Sequence, residues 1–320
     1  MAIPGEFLAL LTTLSWTVCI FPFTSAARKL GPDTVNLFRL LLAFIVLTLV
    51  LPLFTGINVF AFATGISSEQ WLWFGSSGII GLALGDHFGF RAFMILGPRL
   101  ASVFSILSPG FSLLLAYFLV DERINTAGML GIMLSVLALS WLSFSTAEKA
   151  IFRGQDFGKF GFGVVCGFIG AACQGTGIVL ANKGFLAGGE SLNPVAATWI
   201  RLITGLAVVA VIYFMAGKIK PILKSISGDK KKGVRDAVLG TVFGPLAGVI
   251  FSMYAIEALE NKPSVAQTIF SSLPIFSLLA ARIFLREKIP GKSGGAVLLG
   301  FMGVCLLIWR VELQEFLAAF

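Results

Sequence analysis

The chain has 320 residues, of which 57% are hydrophobic and only 12% are charged, and its formal net charge is +8. A soluble protein carries about 25% charged residues, so this composition excludes a soluble globular protein and predicts a surface that lies mostly in lipid. The basic residues stand in the segments between apolar stretches and form no aromatic-interleaved patch, which excludes nucleic acid as a partner. The four cysteines lie inside apolar stretches without zinc-ligand spacing, so we predict no metal and no cofactor.

Apolar stretches long enough to cross a bilayer occur along the whole chain. About 20 apolar residues span the hydrocarbon core, and each span is predicted to be a helix because it must satisfy its own backbone hydrogen bonds. The first contains Trp16 and Pro22 and lacks a basic segment before it, so we expect a transmembrane helix there and not a cleavable signal peptide. The ten stretches cover residues 6–27, 34–54, 71–93, 98–120, 124–144, 160–182, 194–216, 236–257, 263–285 and 291–309.

The second half of the chain repeats the first. At offsets of 162 to 165 residues, the clearest pairs are Pro98 with Pro263, Pro109 with Pro274, Glu122 with Glu287, and Arg39 with Arg201. We predict two units, residues 1–145 and 160–320, joined by a polar linker over residues 146–159. An odd number of helices inverts the second unit in the membrane, and inverted repeats are typical of secondary transporters with a substrate site near the midplane. The predicted fold class is an all-α integral membrane protein with ten transmembrane helices in two inverted five-helix repeats.

These features resemble the EamA family of the drug/metabolite transporter superfamily. Each unit has a helix with a central proline, a short loop with a glutamate and a final helix with glycines: Pro109, Glu122 and Gly128, then Pro274, Glu287 and Gly294. Arg39, Arg201 and the pair Trp16 and Lys29 match further family positions. The resemblance implies a secondary transporter, with export favoured, and leaves the cargo open among amino acids, amines, sugars, nucleotide-linked compounds and drugs.

Arg39 and Arg201 are ionisable residues inside predicted spans, where charge is costly and usually functional. Each stands seven residues after a helix-starting proline, about 10 Å into the helix at 1.5 Å per residue. One interpretation is that they hold a carboxylate or phosphate of the substrate in bidentate fashion. The other is that they extend to the membrane interface or brace helix packing.

Asp86 and His87 lie in the third span, and their repeat partners are Val249 and Ile250, so the fold itself does not require them. Because histidine titrates nearest to neutral pH and a desolvated acid can exchange a proton, the pair is a candidate for proton coupling. The alternative is that Asp86 pairs with Arg39 or Arg91 and only joins helices.

Four further side chains are candidates for the wall of a substrate cavity: Trp16, Gln174, Trp199 and Tyr254. Gln174 lies beside glycines that allow close helix approach, whereas the aromatic residues would equally fit the interface belt. Pro109 and Pro274 are predicted to shape their helices and to contribute some hinge bending.

Lysine and arginine are concentrated in the loops that follow odd-numbered helices, and the opposite loops hold only Arg123, Lys183, Lys262 and Arg310. By the positive-inside rule this predicts that both termini lie outside, whereas the resemblance favours termini in the cytoplasm. The basic loop over residues 217–235 would then contact anionic lipid headgroups or be a solvated loop.

The sequence therefore predicts a secondary active transporter that moves a small polar metabolite, an amino acid-like or other anionic or zwitterionic solute, by alternating access. A flippase or carrier for a lipid-linked or phosphate-bearing substrate is the alternative. An enzyme is not expected, because the spans lack paired carboxylates and a metalloprotease motif. The expected partners are the substrate and membrane lipid, the expected state is a monomer or homodimer, and the expected location is a bacterial inner membrane.

Overall fold

A computed structural model gives the fold. It describes residues 3–56, 58–120, 125–144, 157–187, 192–227, 230–259, 263–274, 276–277, 280, 291–309 and 313–316. The loops with Glu122 and Glu287, most of the predicted linker 146–159 and the second half of the predicted span 263–285 lie outside the described residues.

The first half contains the helices of the first repeat. Their bounds are α1 Gly5–Leu30, α2 Pro32–Thr55, α3 Val59–Gly65, α4 Ser68–Ser77, α5 Asp86–Val103, α6 Ser108–Leu119 and α7 Thr126–Phe144. A π-helical segment, Gly78–Gly85, joins α4 to α5, and a 3₁₀ turn, Phe104–Leu107, joins α5 to α6. The short helix α3 accounts for the apolar stretch between the second and third spans, which is too short to cross a membrane.

The second half follows the same order. Its helices are α8 Phe157–Leu186, α9 Pro194–Met215, α10 Ile219–Ser227, α11 Lys231–Thr241, α12 Val249–Ala258, α13 Pro263–Phe270 and α14 Gly291–Ile308. The π-helical segment Val242–Gly248 joins α11 to α12. This segment is the repeat partner of Gly78–Gly85, so both units carry a π-helix at the same place in their third membrane span.

Local sequence signals begin and end the helices at these positions. Asn193 caps α9 by accepting a hydrogen bond from the backbone N–H of Val195 over 2.9 Å, and Pro194 starts the helix. Gly97 has φ +82° and ψ 167° and breaks α5, and Pro98 then begins the fourth span. A residue with a Cβ would be strained at this φ, so the glycine fixes the corner between the third and fourth spans.

Seven helices of the described residues are long and apolar enough to span a membrane: Gly5–Leu30, Pro32–Thr55, Ser68–Pro98, Leu100–Leu119, Gly158–Leu186, Pro194–Met215 and Lys231–Ala258. They correspond to predicted spans one to four and six to eight. Helices α7 and α14 lie at the fifth and tenth predicted spans, and α13 begins the ninth. The prediction of an all-α membrane protein is confirmed.

The two units pack through matching helices. The second span packs on the seventh and the fifth on the tenth, while α1 packs on the eighth span and α8 on the third. The fully apolar side chains on the outside of the bundle, such as Leu53 at 83% exposure and Met215 at 81%, face where lipid would lie. The helices that cross at the centre leave a cavity between the two units.

Candidate functional site

A cavity of about 170 Å³ lies between the two units. Its wall comes from the first, third, fourth, sixth, eighth and ninth spans, and the side chains of Arg39 and Arg201 enter from the second and seventh. Most of the lining is apolar or aromatic. The polar lining residues are Arg39, Asp86, Ser102, Ser105, Ser108, Gln174, Arg201, Ser252 and Gln267.

Arg39 is held in an ion pair on the wall of this cavity. Its guanidinium lies 2.5 Å from the Asp86 carboxylate and donates to Asn36 Oδ1 over 3.0 Å and to the Leu82 carbonyl over 2.7 Å. The ring of Phe90 lies 5.2 Å from the guanidinium carbon. Arg39 is only 3% exposed, so its charge is compensated by a carboxylate, a carbonyl and an aromatic face.

The π-helix of the third span supplies the carbonyl for this arrangement. Its wide turns displace the i→i−4 hydrogen-bond ladder, which leaves carbonyls for side chains, and such segments are frequent at functional sites. Within Gly78–Gly85, the Leu82 carbonyl accepts from Arg39. The Ala83 carbonyl accepts from Asn36 Nδ2 over 3.4 Å. The segment therefore ties the second span to the third directly before Asp86.

Arg201 is the repeat partner of Arg39, but its surroundings differ. It is 2% exposed, and within the described part of the chain no carboxylate lies within 4.0 Å of its guanidinium. Nη1 reaches only the thioether sulfur of Met253, over 3.3 Å. The Nε of Arg201, like that of Arg39, has no hydrogen-bond acceptor among the described residues. Arg201 lacks a carboxylate partner like that of Arg39 because Val249 occupies the position equivalent to Asp86 in the second unit.

Two glutamines complete the polar part of the wall. Gln174 Nε2 donates to Asp86 Oδ1 over 3.3 Å, which fixes the second oxygen of that carboxylate. Gln267 is 4% exposed, and its Oε1 has no donor among the described residues. Gln267 and Ser252 were not among the sequence candidates. Gln267 could have been found from the sequence, because it is an uncharged polar residue in the ninth predicted span and its repeat partner, Ser102, is also polar.

Trp16 forms part of the aromatic wall of the cavity. Its ring packs edge-on against Phe270 with 5.2 Å between centroids, and it lies directly against the backbone of Gly248 at the end of the second π-helix. A Cβ at residue 248 would collide with the indole ring. The absence of a side chain at Gly248 therefore positions Trp16 against the cavity.

Trp199 and Tyr254 lie outside the lining of this cavity. Trp199 is buried in the core beside Phe44, Phe62 and Trp71, and its indole N–H donates to Thr48 Oγ1 over 2.9 Å. Tyr254 is a partly buried residue that packs against the same core cluster. In the described structure both side chains serve helix packing.

His87 points away from Asp86 to a separate polar cluster. Consecutive residues of an α-helix are separated by about 100° around its axis, so Asp86 faces the cavity and His87 does not. We call the group of Asp33, His87, Arg91, Tyr213 and Lys218 the Asp33 cluster. It lies where the second span begins and the third and seventh end.

Asp33 is the shared acceptor of this cluster. Its carboxylate accepts from Arg91 over 2.6 Å, from the Tyr213 hydroxyl over 3.2 Å and from Lys218 over 2.7 Å, and His87 Nδ1 lies 3.1 Å from the Tyr213 hydroxyl. The cluster joins three spans at one membrane face. Nearby, Asp236 accepts from Lys29 and Ser25, each over 2.7 Å, and joins the first span to the eighth.

The two prolines of the repeated stretch lie at helix starts. Pro109 is in the first turn of α6, directly after the 3₁₀ turn, where its missing N–H costs no intrahelical bond. The Pro274 carbonyl accepts from Ser277 Oγ over 3.0 Å, and the Ser277 hydroxyl meets that of Ser102 at 2.8 Å. Both positions are consistent with helix shaping, and their hinge role stays a prediction.

Comparison with known families decides what kind of protein carries this cavity. The model of the EamA-like transporter family matches residues 3–144 and again residues 161–309. The chain belongs to the EamA-like transporter family. It is therefore a membrane transporter of the drug/metabolite superfamily, as the resemblance of its sequence predicted.

Solved structures support the same fold for this EamA-like transporter. One that is described only as "Crystal structure of protein" is 16% identical, with a TM-score of 0.64, and the match covers 96% of this chain and 98% of that one. None of the curated proteins matches the sequence. The structural likeness supports the fold alone, so the cargo must be inferred from the cavity.

Proposed function

We propose that this EamA-like transporter moves a small anionic or zwitterionic metabolite by alternating access, with Arg201 as the residue that binds its carboxylate. The observation that carries the proposal is a buried guanidinium on a cavity wall with no carboxylate within 4.0 Å among the described residues. A buried charge at membrane depth that no carboxylate contacts is costly. A cargo carboxylate would supply the missing partner, and the planar guanidinium can bind it with two parallel hydrogen bonds.

The charges of the cavity favour a cargo with one net negative group at Arg201. Arg39 and Arg201 contribute two positive charges and Asp86 one negative charge, so a single carboxylate would balance the polar wall. Asp86 is engaged by both Arg39 and Gln174. A cation would have to compete with Arg39 for Asp86 and would lie in the field of two guanidinium groups.

The rest of the wall suits an amino acid-like body. Gln267 Oε1 is a buried acceptor without a donor among the described residues, and a cargo ammonium or hydroxyl group would satisfy it. Trp16, Phe90 and Phe270 offer apolar surface for a side chain. Ligand pockets commonly combine such apolar walls with a few placed polar groups.

The alternative of a flippase for a phosphate-bearing lipid is less well supported. A phosphate group would be held best by both guanidinium groups together. Arg39 already donates to Asp86, Asn36 and the Leu82 carbonyl, which leaves Arg201 alone. A carboxylate needs only one such group.

If transport is coupled to protons, we infer that Asp86 and not His87 carries the proton. Asp86 lies on the cavity wall against Arg39, whereas His87 contacts Tyr213 in the Asp33 cluster. Flux in proteoliposomes under an imposed pH gradient tests this inference. Asp86→Asn should remove the response to the gradient and His87→Gln should preserve it, and the reverse result would contradict the assignment.

Ligand-dependent thermal stability of the detergent-purified protein tests the proposed cargo class. The panel contains amino acids, amines, sugar nucleotides and polyprenyl phosphates. A ligand at about 100 times its Kd stabilises the folded state by about 2.7 kcal/mol, which raises the Tm. We expect a shift with carboxylates that disappears in Arg201→Gln. A shift with the polyprenyl phosphates alone would contradict the proposal and support the flippase.

We also infer that the protein lies in a bacterial inner membrane with both termini outside and that it exports its cargo. The loop charges support the orientation, and the family resemblance supports export. A reporter that is active only outside the membrane, fused after Phe320, tests the orientation. Activity is expected, and an inactive reporter in a protein that is otherwise inserted would contradict it.

A further inference from the structure

The connection between the seventh and eighth spans forms a basic surface at one membrane face. Residues 218–235 contain seven lysines and arginines and a single acidic residue, Asp229. Those in the described part are exposed or half-exposed: Lys218, Lys220, Lys224, Lys230, Lys231, Lys232 and Arg235. We call this set of residues the basic surface.

Helix α10 holds the first part of this surface in a fixed orientation. Ile222 is buried at 4% exposure, and Ile219 and Ile226 pack against the apolar core, so one side of the helix faces the protein. Ser225 Oγ donates to the Leu30 carbonyl over 2.8 Å, and Lys218 donates to Asp33 over 2.7 Å. The helix is thus attached to the turn between the first and second spans.

The outer side of α10 combines lysines with an exposed leucine. Lys220 and Lys224 are exposed, and Leu223 between them is 60% exposed. The helix starts four residues after the last residue of the seventh span, Met215, so it lies at the level where the bilayer ends. An apolar side chain among lysines at this level is typical of helices that lie in the membrane interface.

The acidic side chains described at this face are already engaged. Asp33 accepts from Arg91 and Lys218, and Asp236 accepts from Lys29. No carboxylate within 4.0 Å of Lys220, Lys224 or Lys231 appears in the described ranges. Lys218 and Arg235 pair with Asp33 and Asp236. Lys220, Lys224 and Lys231 have no such carboxylate among the described residues, so the ligand that they bind must be anionic.

We propose that the basic surface binds the headgroups of anionic phospholipids, with Leu223 inserted between their acyl chains. Charge complementarity and the position of α10 at the end of a span both favour lipid as the occupant of this site. Basic residues near an anionic bilayer surface contribute about 1 kcal/mol each, and the attraction falls off within a Debye length of about 10 Å at 0.1 M salt. The site is independent of the cargo cavity, because none of these lysines lines it.

Lipid affinity of the detergent-purified full chain tests the proposal. The probes are phosphatidylglycerol and phosphatidylcholine with the same acyl chains, added to micelles, and inorganic phosphate as a separate arm. Lys220→Gln/Lys224→Gln/Lys231→Gln removes three charges, and Lys220→Arg/Lys224→Arg/Lys231→Arg is the matched control that keeps them. Each lysine that is lost should lower the affinity for phosphatidylglycerol about fivefold, so the glutamine variant should bind it on the order of a hundredfold more weakly.

The proposal requires that the wild type and the arginine variant prefer phosphatidylglycerol to phosphatidylcholine and that the glutamine variant loses this preference. Equal affinity of the wild type and the glutamine variant for phosphatidylglycerol would overturn it. Displacement of phosphatidylglycerol by an equal concentration of inorganic phosphate would also overturn it, since the site would then bind free phosphate.

Discussion

Replacement of Asp86 by asparagine should destabilise the protein more than replacement of Arg39 by glutamine. In the wild type, Asp86 lies 2.5 Å from Arg39 and also interacts electrostatically with Arg201. Asp86→Asn leaves two buried guanidinium groups without a counter-charge. Arg39→Gln leaves Asp86 in the field of Arg201, so one positive charge still faces one negative charge.

The size of the effect follows from the burial of the pair. Removal of one partner of a buried ion pair costs about 3–5 kcal/mol. The Arg39 side chain is 3% exposed, but that of Asp86 is 23% exposed toward the cavity, and asparagine keeps one acceptor for a hydrogen bond. We therefore expect a loss of about 3 kcal/mol for Asp86→Asn.

Thermal unfolding of the two single variants and the double variant in one detergent forms a double-mutant cycle. The Tm should fall most in Asp86→Asn, less in Arg39→Gln, and the double variant should recover part of the loss, because it removes both charges. Equal Tm values for Asp86→Asn and the wild type, or a double variant whose loss equals the sum of the single losses, would refute this reasoning.

Three further substitutions probe packing and the polar clusters. Gly78→Ala would place a Cβ against the backbone of Arg201, which cannot move aside, and should cost about 3 kcal/mol or more of folding stability. Gly89→Ala is its control, because a Cβ at residue 89 would meet no neighbouring atom within 4 Å, and it should keep the wild-type Tm. Asp33→Asn removes the shared acceptor of its cluster and should cost about 2 kcal/mol in low salt. The Tm difference should narrow in high salt, and a salt-independent difference would argue against an electrostatic origin. Trp199→Phe should lower stability by about 1 kcal/mol through its lost hydrogen bond while the KM for cargo stays at the wild-type value, and a changed KM would argue for a cavity role.

The spans could be predicted from the sequence because the bilayer imposes a length and a composition on each of them. The break at Gly97 and Pro98 illustrates how the start of a span follows from two residues. For Asp86 the sequence left two interpretations open, which were proton coupling and pairing with Arg39 or Arg91. The sequence also held the reason why Arg201 differs, since Val249 occupies the position equivalent to Asp86.

The rotation of each helix about its axis could not be predicted. A helix that is apolar all round carries no periodic signal for which side faces lipid, core or cavity, so Trp199 was a cavity candidate although it lies in the core. The π-helical segments add to this difficulty, because each inserts extra residues into its turns and changes the phase of the residues that follow. Asp86, directly after Gly85, acquires its direction in this way.

The role of Arg201 is tested most directly by exchange flux in proteoliposomes, with each amino acid of the panel compared with its primary amide. A hydrogen bond to a charged group contributes about 1.5–3 kcal/mol, which corresponds to a preference of about 10- to 150-fold for the carboxylate. We predict that the wild type shows this preference and that Arg201→Gln transports the two forms equally. If Arg201→Gln retained the full preference for the carboxylate, Arg201 would not be the residue that binds the cargo.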